Sequence, residues 1–373
     1  MCLRHLWFAR RGLASFRIGF KNSCAADAGR KPFESSEIRM NRIPFEELKM
    51  MLSGVLVRLG FAQERAERCA QLFAETTRDG VYTHGVARFP RFVAMIRNGS
   101  VDVHAEPVLK TRLGAVERWD GCRGPGNLNA EFCMERAIAL GRVQGVGCVA
   151  LGNTNHWMRG GTYGWQAAEA RLIGMCWTNT MPNMPPWGGL DPVLGNNPLV
   201  IGVPRAKRPV VLDTAMSQFS YGALEGYRTR GEQLPVPGGF DGEGELTRDP
   251  AAIEKSQRVL PAGYWKGSGI SIVLDMMGAM LGLGLATHQL GNDPLRETGI
   301  SQVFLAVDPA AFGSADERER IADAIVSSVE RCTPAEAGRR VRCPGERTLR
   351  AREENTRLGL PVDAELWKQI LGM

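Results

Sequence analysis

The segment Val81–Phe92, reading VYTHGVARFPRF, places Tyr82, His84, Arg88 and Arg91 close together in the chain. Such a set suits the reduction of a carbonyl that lies beside a carboxylate. A proton must reach the developing alkoxide, and histidine is the common donor because it titrates near neutrality. A fixed cation must hold the carboxylate, and the planar fork of an arginine does this with two parallel bonds. His84 and Arg88 are four residues apart, so they share a face if the segment is helical. Taken alone, the pattern suits a plain surface or packing histidine better than a site.

Three further side chains stand where chemistry could use them. His156 follows a buried strand and precedes a helix, the kind of loop in which such folds place ligands; capping or packing is the alternative. Asp213 ends the apolar run Val210–Leu212 and could orient a histidine, bind a ribose hydroxyl or cap the next turn. Lys266 precedes Gly267-Ser-Gly269 at a helix start, where a phosphate would meet both an ammonium and open backbone N–H groups. An ordinary solvent-exposed lysine is the alternative there. The run Asp241-Gly-Glu-Gly-Glu245 lacks the spacing and terminal Glu of a calcium loop and reads as a solvated acidic turn. A GxGxxG dinucleotide fingerprint is missing: Gly267-Ser-Gly269 meets Ile272 where the third glycine should fall, and Gly121–Gly126 has the wrong spacing.

The elements that must carry these residues follow from periodicity. Pro44–Leu59 has apolar residues at 45, 48, 52, 55, 56 and 59, a helical repeat, and residues 62–77 form a second helix. Residues 108–119 read as a strand or hairpin arm, and Asn127–Val143 as an amphipathic helix. Gly145–Leu151 and Gly174–Thr178 are buried strands with a helix over roughly 161–170 between them, which implies a mixed or parallel sheet. Leu199–Val203, Val210–Leu212 and Val303–Val307 are further strands. Residues 231–263 read as a long loop, Ser268–Leu285 and Glu317–Val329 as helices, and 334–347 as a Pro/Gly-rich passage before a last helix near 363–371. The apolar stretch Ile270–Ala286 contains Asp275 and glycines at 278, 282 and 284, and reads as a buried helix, not a membrane span.

Composition narrows the class. The chain has 373 residues and 44 glycines, enough for a substantial core with many tight turns. Residues 1–39 hold eight Lys or Arg against three acids, a net +5 of the chain's +6. The remainder is nearly neutral, which argues against a nucleic-acid surface. The nine cysteines have no CxxC pair and no zinc-ligand spacing, so no metal is expected and the thiols read as reduced, in a cytosolic protein. The Arg-rich, acid-poor start has the composition of an organellar presequence. The internal Met40 points instead to an overextended start, and a functional arm is the third reading.

Eight blocks in order carry a resemblance: TTRDGVYTHGVARFPRF (76–92), NTNHWMRGGTYGWQAAEA (153–170), CWTN (176–179), PPWGG (185–189), NNPLVIGVP (196–204), QFSYGALE (218–225), QLPVPGGFDGEGELT (233–247) and LPAGYWKGSGISIVLDMM (260–277). From about Met40 to the C-terminus the chain resembles the malate/L-lactate dehydrogenase family that does not use a Rossmann fold. The resemblance implies an α/β protein with its own NAD(P)-binding fold, a mixed central sheet and a helical part built from both ends of the chain. It divides the chain into an extension (1–39), a helical, substrate-side region (40–120 and 310–373) and a central cofactor-binding domain (121–309). It implies NADH, with NADPH open, bound in an extended groove by Pro209, Val210, Val211, Leu212, Asp213, Thr214, Ala215, Trp265, Lys266, Gly345 and Glu346. Family sequences vary at the last of these, so the part played by Glu346 is open. It implies that His84 donates the proton, that Arg88 clamps the carboxylate of a small 2-oxo acid and that His156 lines the substrate pocket. It further implies a homodimer with active sites near the subunit interface; the expectation of a cytoplasmic protein without membrane or nucleic-acid partners rests on the thiols, the lack of a spanning apolar run and the near-neutral body. Malate, lactate, ureidoglycolate and cyclic imino acids all stay open as substrates, as does a silent cofactor-binding homologue.

Overall fold

The computed structural model describes residues 40–336 and 338–373, and these belong to one compact unit. The expectations for residues 1–39 lie outside the described residues. Strand β1 (Met40–Ile43) leads into α1 (Phe45–Arg58) and α2 (Gln63–Arg78). Both helices follow from their apolar repeat: Leu48, Leu52, Val55 and Leu56 of the first, and Ala66, Cys69, Ala70 and Phe73 of the second, are buried. Gly80, with φ +80°, turns the chain out of α2 in the left-handed conformation that suits glycine.

Two short 3₁₀ turns follow, Tyr82–His84 and Val86–Arg88, before α3 (Phe89–Arg97). His84 and Arg88 therefore do not share one helix as their spacing suggested. Gly85 breaks the turn with φ −92° and ψ −131°. A Cβ at Gly85 would lie 2.4 Å from Thr77 Oγ1, so a side chain there would push the segment off α2.

The hairpin β2 (Val108–Leu113) and β3 (Val116–Asp120) precedes α4 (Gly126–Gln144), β4 (Val146–Asn155), α5 (Gly161–Glu169), β5 (Ile173–Thr178), β6 (Leu199–Val203) and β7 (Val210–Thr214). Then come α6 (Tyr221–Thr229), β8 (Gly239–Phe240), β9 (Leu246–Thr247), α7 (Pro250–Ser256), α8 (Trp265–Gly282) and β10 (Thr298–Val307). Seven strands form one mixed sheet in the order β2-β3-β4-β10-β5-β6-β7, in which only β3 and β4 pair in parallel. The strand–helix–strand unit β4–α5–β5 is present, but β10 lies between its two strands and pairs antiparallel with both. The hairpin belongs to this sheet, although a boundary at residue 120 would group it with the helices.

The chain ends with α9 (Ala315–Glu330), α10 (Glu346–Leu358), β11 (Leu360–Asp363) and α11 (Ala364–Leu371). Strand β11 pairs antiparallel with β1, Met40 opposite Asp363 and Ile43 opposite Leu360. Both ends of the described part of the chain thus close one helical core that includes Leu52, Phe73, Phe92, Leu360 and Ile370. Two other cores lie around the sheet, one with α4 and α5 and one with α8.

Three expectations are corrected. The loop over 231–263 contains the β8–β9 hairpin and α7, whose start carries a local signal: Asp249 accepts from Ala251 N–H and Pro250 holds the first position. Helix α10 was not foreseen, because ERTLRAREENTRL has no apolar stripe. Helix α8 is not a buried helix. Its small side, with Ser271, Gly278 and Gly282, faces the sheet, while Ile272, Val273, Met276, Met280 and Leu281 are exposed.

Candidate active site

His84 is fixed by the end of α2. Thr77 uses its hydroxyl twice, donating to Phe73 O at 2.8 Å and accepting from Val86 N–H at 2.8 Å, which ties the His84 segment to the helix. His156 arrives from the end of β4. A Cβ at Gly126 would lie 2.3 Å from the carbonyl oxygens of Asn155 and His156, so the start of α4 packs against this loop backbone to backbone. Met158 N–H donates to His156 Nδ1 at 3.0 Å, so the neutral ring carries its proton on Nε2. The two imidazoles stack, centroids 5.6 Å apart and planes 14° apart.

Glu297 completes the pocket. It directly precedes β10, whose first residue Thr298 pairs with Asn155, and so enters beside His156. Its side chain is 4% exposed, and Oε2 accepts from Arg88 Nη2 at 3.4 Å and Arg91 Nη2 at 3.5 Å. Met181 N–H reaches Oε1 at 3.5 Å. Two guanidiniums thus share one carboxylate through long contacts, which leaves a net positive charge; Arg91 also donates from Nε and Nη2 to Pro294 O, so the donors to spare among the described residues are those of Arg88.

This charge acts on the histidines. Burial first, then Arg88, Arg159 and Arg91, push His84 down to about 4. Burial, Arg88, His84 and Arg91 hold His156 well below its ordinary value. Arg88 is itself pushed down to about 10, by burial and by Arg91, with Glu297 opposing. Both imidazoles keep some contact with solvent while protein surrounds them on most sides, as on the floor of a cleft. At neutral pH both are uncharged. A cavity of about 740 Å³ lies elsewhere, between α9 and the ends of β5 and β6, where Leu172, Val203, Ile321 and Ile325 line it. That lining contains no histidine, so we place the chemistry in the cleft.

The segments expected to hold a cofactor converge along β7. Gly345, at φ +92°, lies against it: a Cβ there would be 3.2 Å from Val211 N, and Val211 N–H donates to Pro344 O at 3.3 Å. Beyond Ala215, Met216 O accepts from Ala262 N–H at 2.8 Å, which brings Trp265 and Lys266 to the end of the same strand. Lys266 is exposed in the first turn of α8, 6.0 Å above the Trp265 ring. Asp213 Oδ2 accepts from Gly161 N–H at 2.8 Å, so it caps the start of α5 and steadies the loop carrying His156, rather than capping the turn that follows β7. Burial raises Asp213, against Arg159 and that N–H. The first turn of α8 does not offer the free N–H groups expected there, since Lys266 N–H donates to Gly263 O at 3.3 Å and Gly267 N–H to Ala262 O at 2.8 Å. What fits a dinucleotide is the exposed cation, a glycine that lets the chain approach β7, and a carboxylate on that strand.

Glu346 faces elsewhere. Its carboxylate accepts from Cys343 N–H at 2.9 Å and pairs with Arg340, so it holds the turn before α10. Arg91, Glu297, Arg159 and Asp79 were given no role in the sequence reading. Arg91 and Asp79 flank His84 in the same block, and Arg159 follows His156 by three residues. Nothing local marks Glu297.

The match to the malate/L-lactate dehydrogenase family spans residues 43–371, and the chain belongs to that family. It is therefore an NAD(P)-dependent oxidoreductase of 2-oxo acids. Among curated relatives, the 2,3-diketo-L-gulonate reductase of Citrobacter koseri is 46% identical over 330 residues, 88% of this chain and 99% of the relative. Sulfolactate dehydrogenase from Methanocaldococcus jannaschii superposes with TM-score 0.82 at 28% identity, covering 88% of this chain and 95% of that one. Δ1-piperideine-2-carboxylate reductase from Pseudomonas syringae gives 0.80 at 26%, covering 89% and 99%.

Proposed function

We propose that the chain reduces 2,3-diketo-L-gulonate to 3-dehydro-L-gulonate with NADH. The observation that carries the chemistry is the stacked pair His84 and His156 beside two arginines that share one buried carboxylate. The choice of substrate rests on 46% identity across nearly the whole length of a reductase of that name. The nicotinamide, when bound, supplies the hydride that C2 of the substrate receives. The residues do the rest. Arg88 clamps the substrate carboxylate in the fork that Glu297 engages only loosely, and Arg91 adds charge. His156 donates Nε2–H to a substrate oxygen. His84 gives its proton to the oxygen on C2.

In the free cleft His84 is neutral, so it must gain that proton as substrate binds. The incoming carboxylate offsets Arg88 and Arg91, two of the charges that depress it, and so raises its proton affinity. For the cofactor, the exposed ammonium of Lys266 suits a phosphate, while β7 and Gly345 border the groove. In this reading the sheet is a non-Rossmann cofactor platform, with the helical region on the substrate side. The exposed apolar face of α8 supports a homodimer, since a patch of that kind on one chain is normally covered by another. Cytoplasmic localisation, expected from the thiols, is part of the same proposal.

The test is a panel of 2,3-diketo-L-gulonate, oxaloacetate, pyruvate and a cyclic imino acid, each with NADH and NADPH. The diketo acid with NADH should give the highest kcat/KM. A tenfold preference for another substrate or for NADPH would overturn the corresponding half of the proposal. Cofactor binding without turnover on any substrate would indicate a silent homologue.

A further inference from the structure

Outside the substrate cleft a second carboxylate gathers arginines. Asp79 caps the end of α2, and its side chain is 3% exposed. It accepts from Arg159 Nη1 at 2.7 Å, from Arg352 Nε at 2.8 Å and Nη2 at 2.7 Å, and from Arg78 Nε at 3.2 Å. Burial alone would raise this carboxyl, but the Arg352 bond and the charges of Arg159 and Arg352 outweigh it and leave it below the usual range. The partners come from three places: α2 itself, the β4–α5 loop and α10. Each stands close in sequence to a site segment: Asp79 to His84, Arg159 to His156, and Arg352 to Gly345.

Arg159 is the link that enters the site. Its side chain is 4% exposed, and its Nε is buried with no hydrogen-bond partner among the described residues. A Cβ on Gly161 would lie 3.2 Å from that Nε and 2.7 Å from Asp213 Oδ2, so the free edge of the guanidinium and the carboxylate on β7 flank the same glycine.

We propose that Asp79, acting through Arg159, is a positioning residue that joins the His84 segment to the cofactor strand and balances the positive charge facing His84. The proposal rests on the assignment of proton transfer to His84. The groups around that ring are Arg88 and Arg91 on the following turn and α3, His156 at the end of β4, Arg159 on the β4–α5 loop, and Glu297 before β10. Glu297 offsets Arg88 and Arg91. Asp79 offsets Arg159. Removing the Asp79 anion leaves Arg159 with only the Asp213 carboxylate beside it and disfavours the imidazolium, whereas removing Arg159 favours it.

The experiment is the NMR titration of the histidine rings in the full chain, with His84→Gln assigning the His84 signal, alongside kcat and Tm. Asp79→Asn should move the His84 midpoint to lower pH and Arg159→Met to higher pH, each by about half a unit or more. Neutral-pH kcat for reduction should fall about tenfold in Asp79→Asn, because the two walls of the site lose their tie. A purely structural carboxylate would lower Tm without moving the titration in opposite directions. If both variants titrate like the parent, the proposal is wrong. Should Asp79→Asn fail to fold, Arg159→Met decides alone, since Arg352 still pairs with Asp79. The reading of His84 fails separately: turnover that survives His84→Ala while the titration shifts persist would remove the catalytic half of the proposal.

Discussion

Two buried carboxylates in this molecule hold arginines, and they hold them differently. Asp79 is gripped at 2.7–2.8 Å by Arg159 and, through two bonds, by Arg352. Glu297 is approached by Arg88 and Arg91 only at 3.4 and 3.5 Å. In the first geometry the carboxylate is saturated, since both of its oxygens accept short bonds from guanidinium groups. The second leaves donors underused in a cleft, which is the state a site needs before a carboxylate arrives. A buried acid–arginine contact is therefore no sign of function by itself. The slack in it, beside a depressed histidine, is the informative feature.

The comparison can be broken most sharply at His84. If the slack cluster exists to serve a proton transfer, His84→Ala lowers kcat by about 10²–10⁴ with little change in NADH affinity or Tm. Steady-state kinetics beside a melting curve decide it, and a stable variant with near-normal kcat returns His84 to a packing role.

A matched pair of substitutions compares the clusters directly. Arg88→Lys should raise KM for the oxo acid by about tenfold or more, because an ammonium cannot make the two-bond fork. Arg352→Lys should be felt first as a lower Tm, with a smaller change in KM than Arg88→Lys produces. Equal effects on KM would erase the distinction between the two carboxylates.

A third expectation concerns pH. Folded His84 is pushed down to about 4, whereas the unfolded chain titrates at its ordinary value near 6.5. Between those values the unfolded state binds more protons, so stability is full above about pH 6.5, declines as pH falls, and loses nothing further from this group below about 4. His156, depressed in the same direction, adds to the slope. Tm measured across this window should fall toward acid, and His84→Gln should flatten the fall. An unchanged slope would mean that the ring is not held neutral.

The smallest effect is expected at the start of the chain. Removing residues 1–39 should leave Tm and kcat/KM unchanged, because charge and family resemblance both change character at Met40 and the described strand pair β1–β11 already closes the helical core. An insoluble or inactive truncation would show that the extension belongs to the fold.

Local pattern carried much of this protein. The apolar repeats of α1 and α2, the buried runs of β4 and β5, and the helix between them were legible because each element's own residues carry the apolar pattern that buries it. The family was legible from long blocks such as TTRDGVYTHGVARFPRF. Helix α10 was not, since its sequence has no apolar stripe and its place is set by Arg352 and Asn355 reaching α2 and its end. The outward face of α8 was hidden for the opposite reason: its apolar run is real, but only the contact with the sheet decides which side is covered. His84 and Arg88 were legible as residue types within one block, but Gly85 breaks the helix on which their spacing would have set them. Glu297 lies 209 residues beyond Arg88 and carries no motif. Only the insertion of β10 between β4 and β5 brings it beside His156. Sequence determined which elements form and which chemistry they bear. Tertiary structure alone decided which charges face one another, because Coulomb and hydrogen-bond terms depend on distance in space and not along the chain.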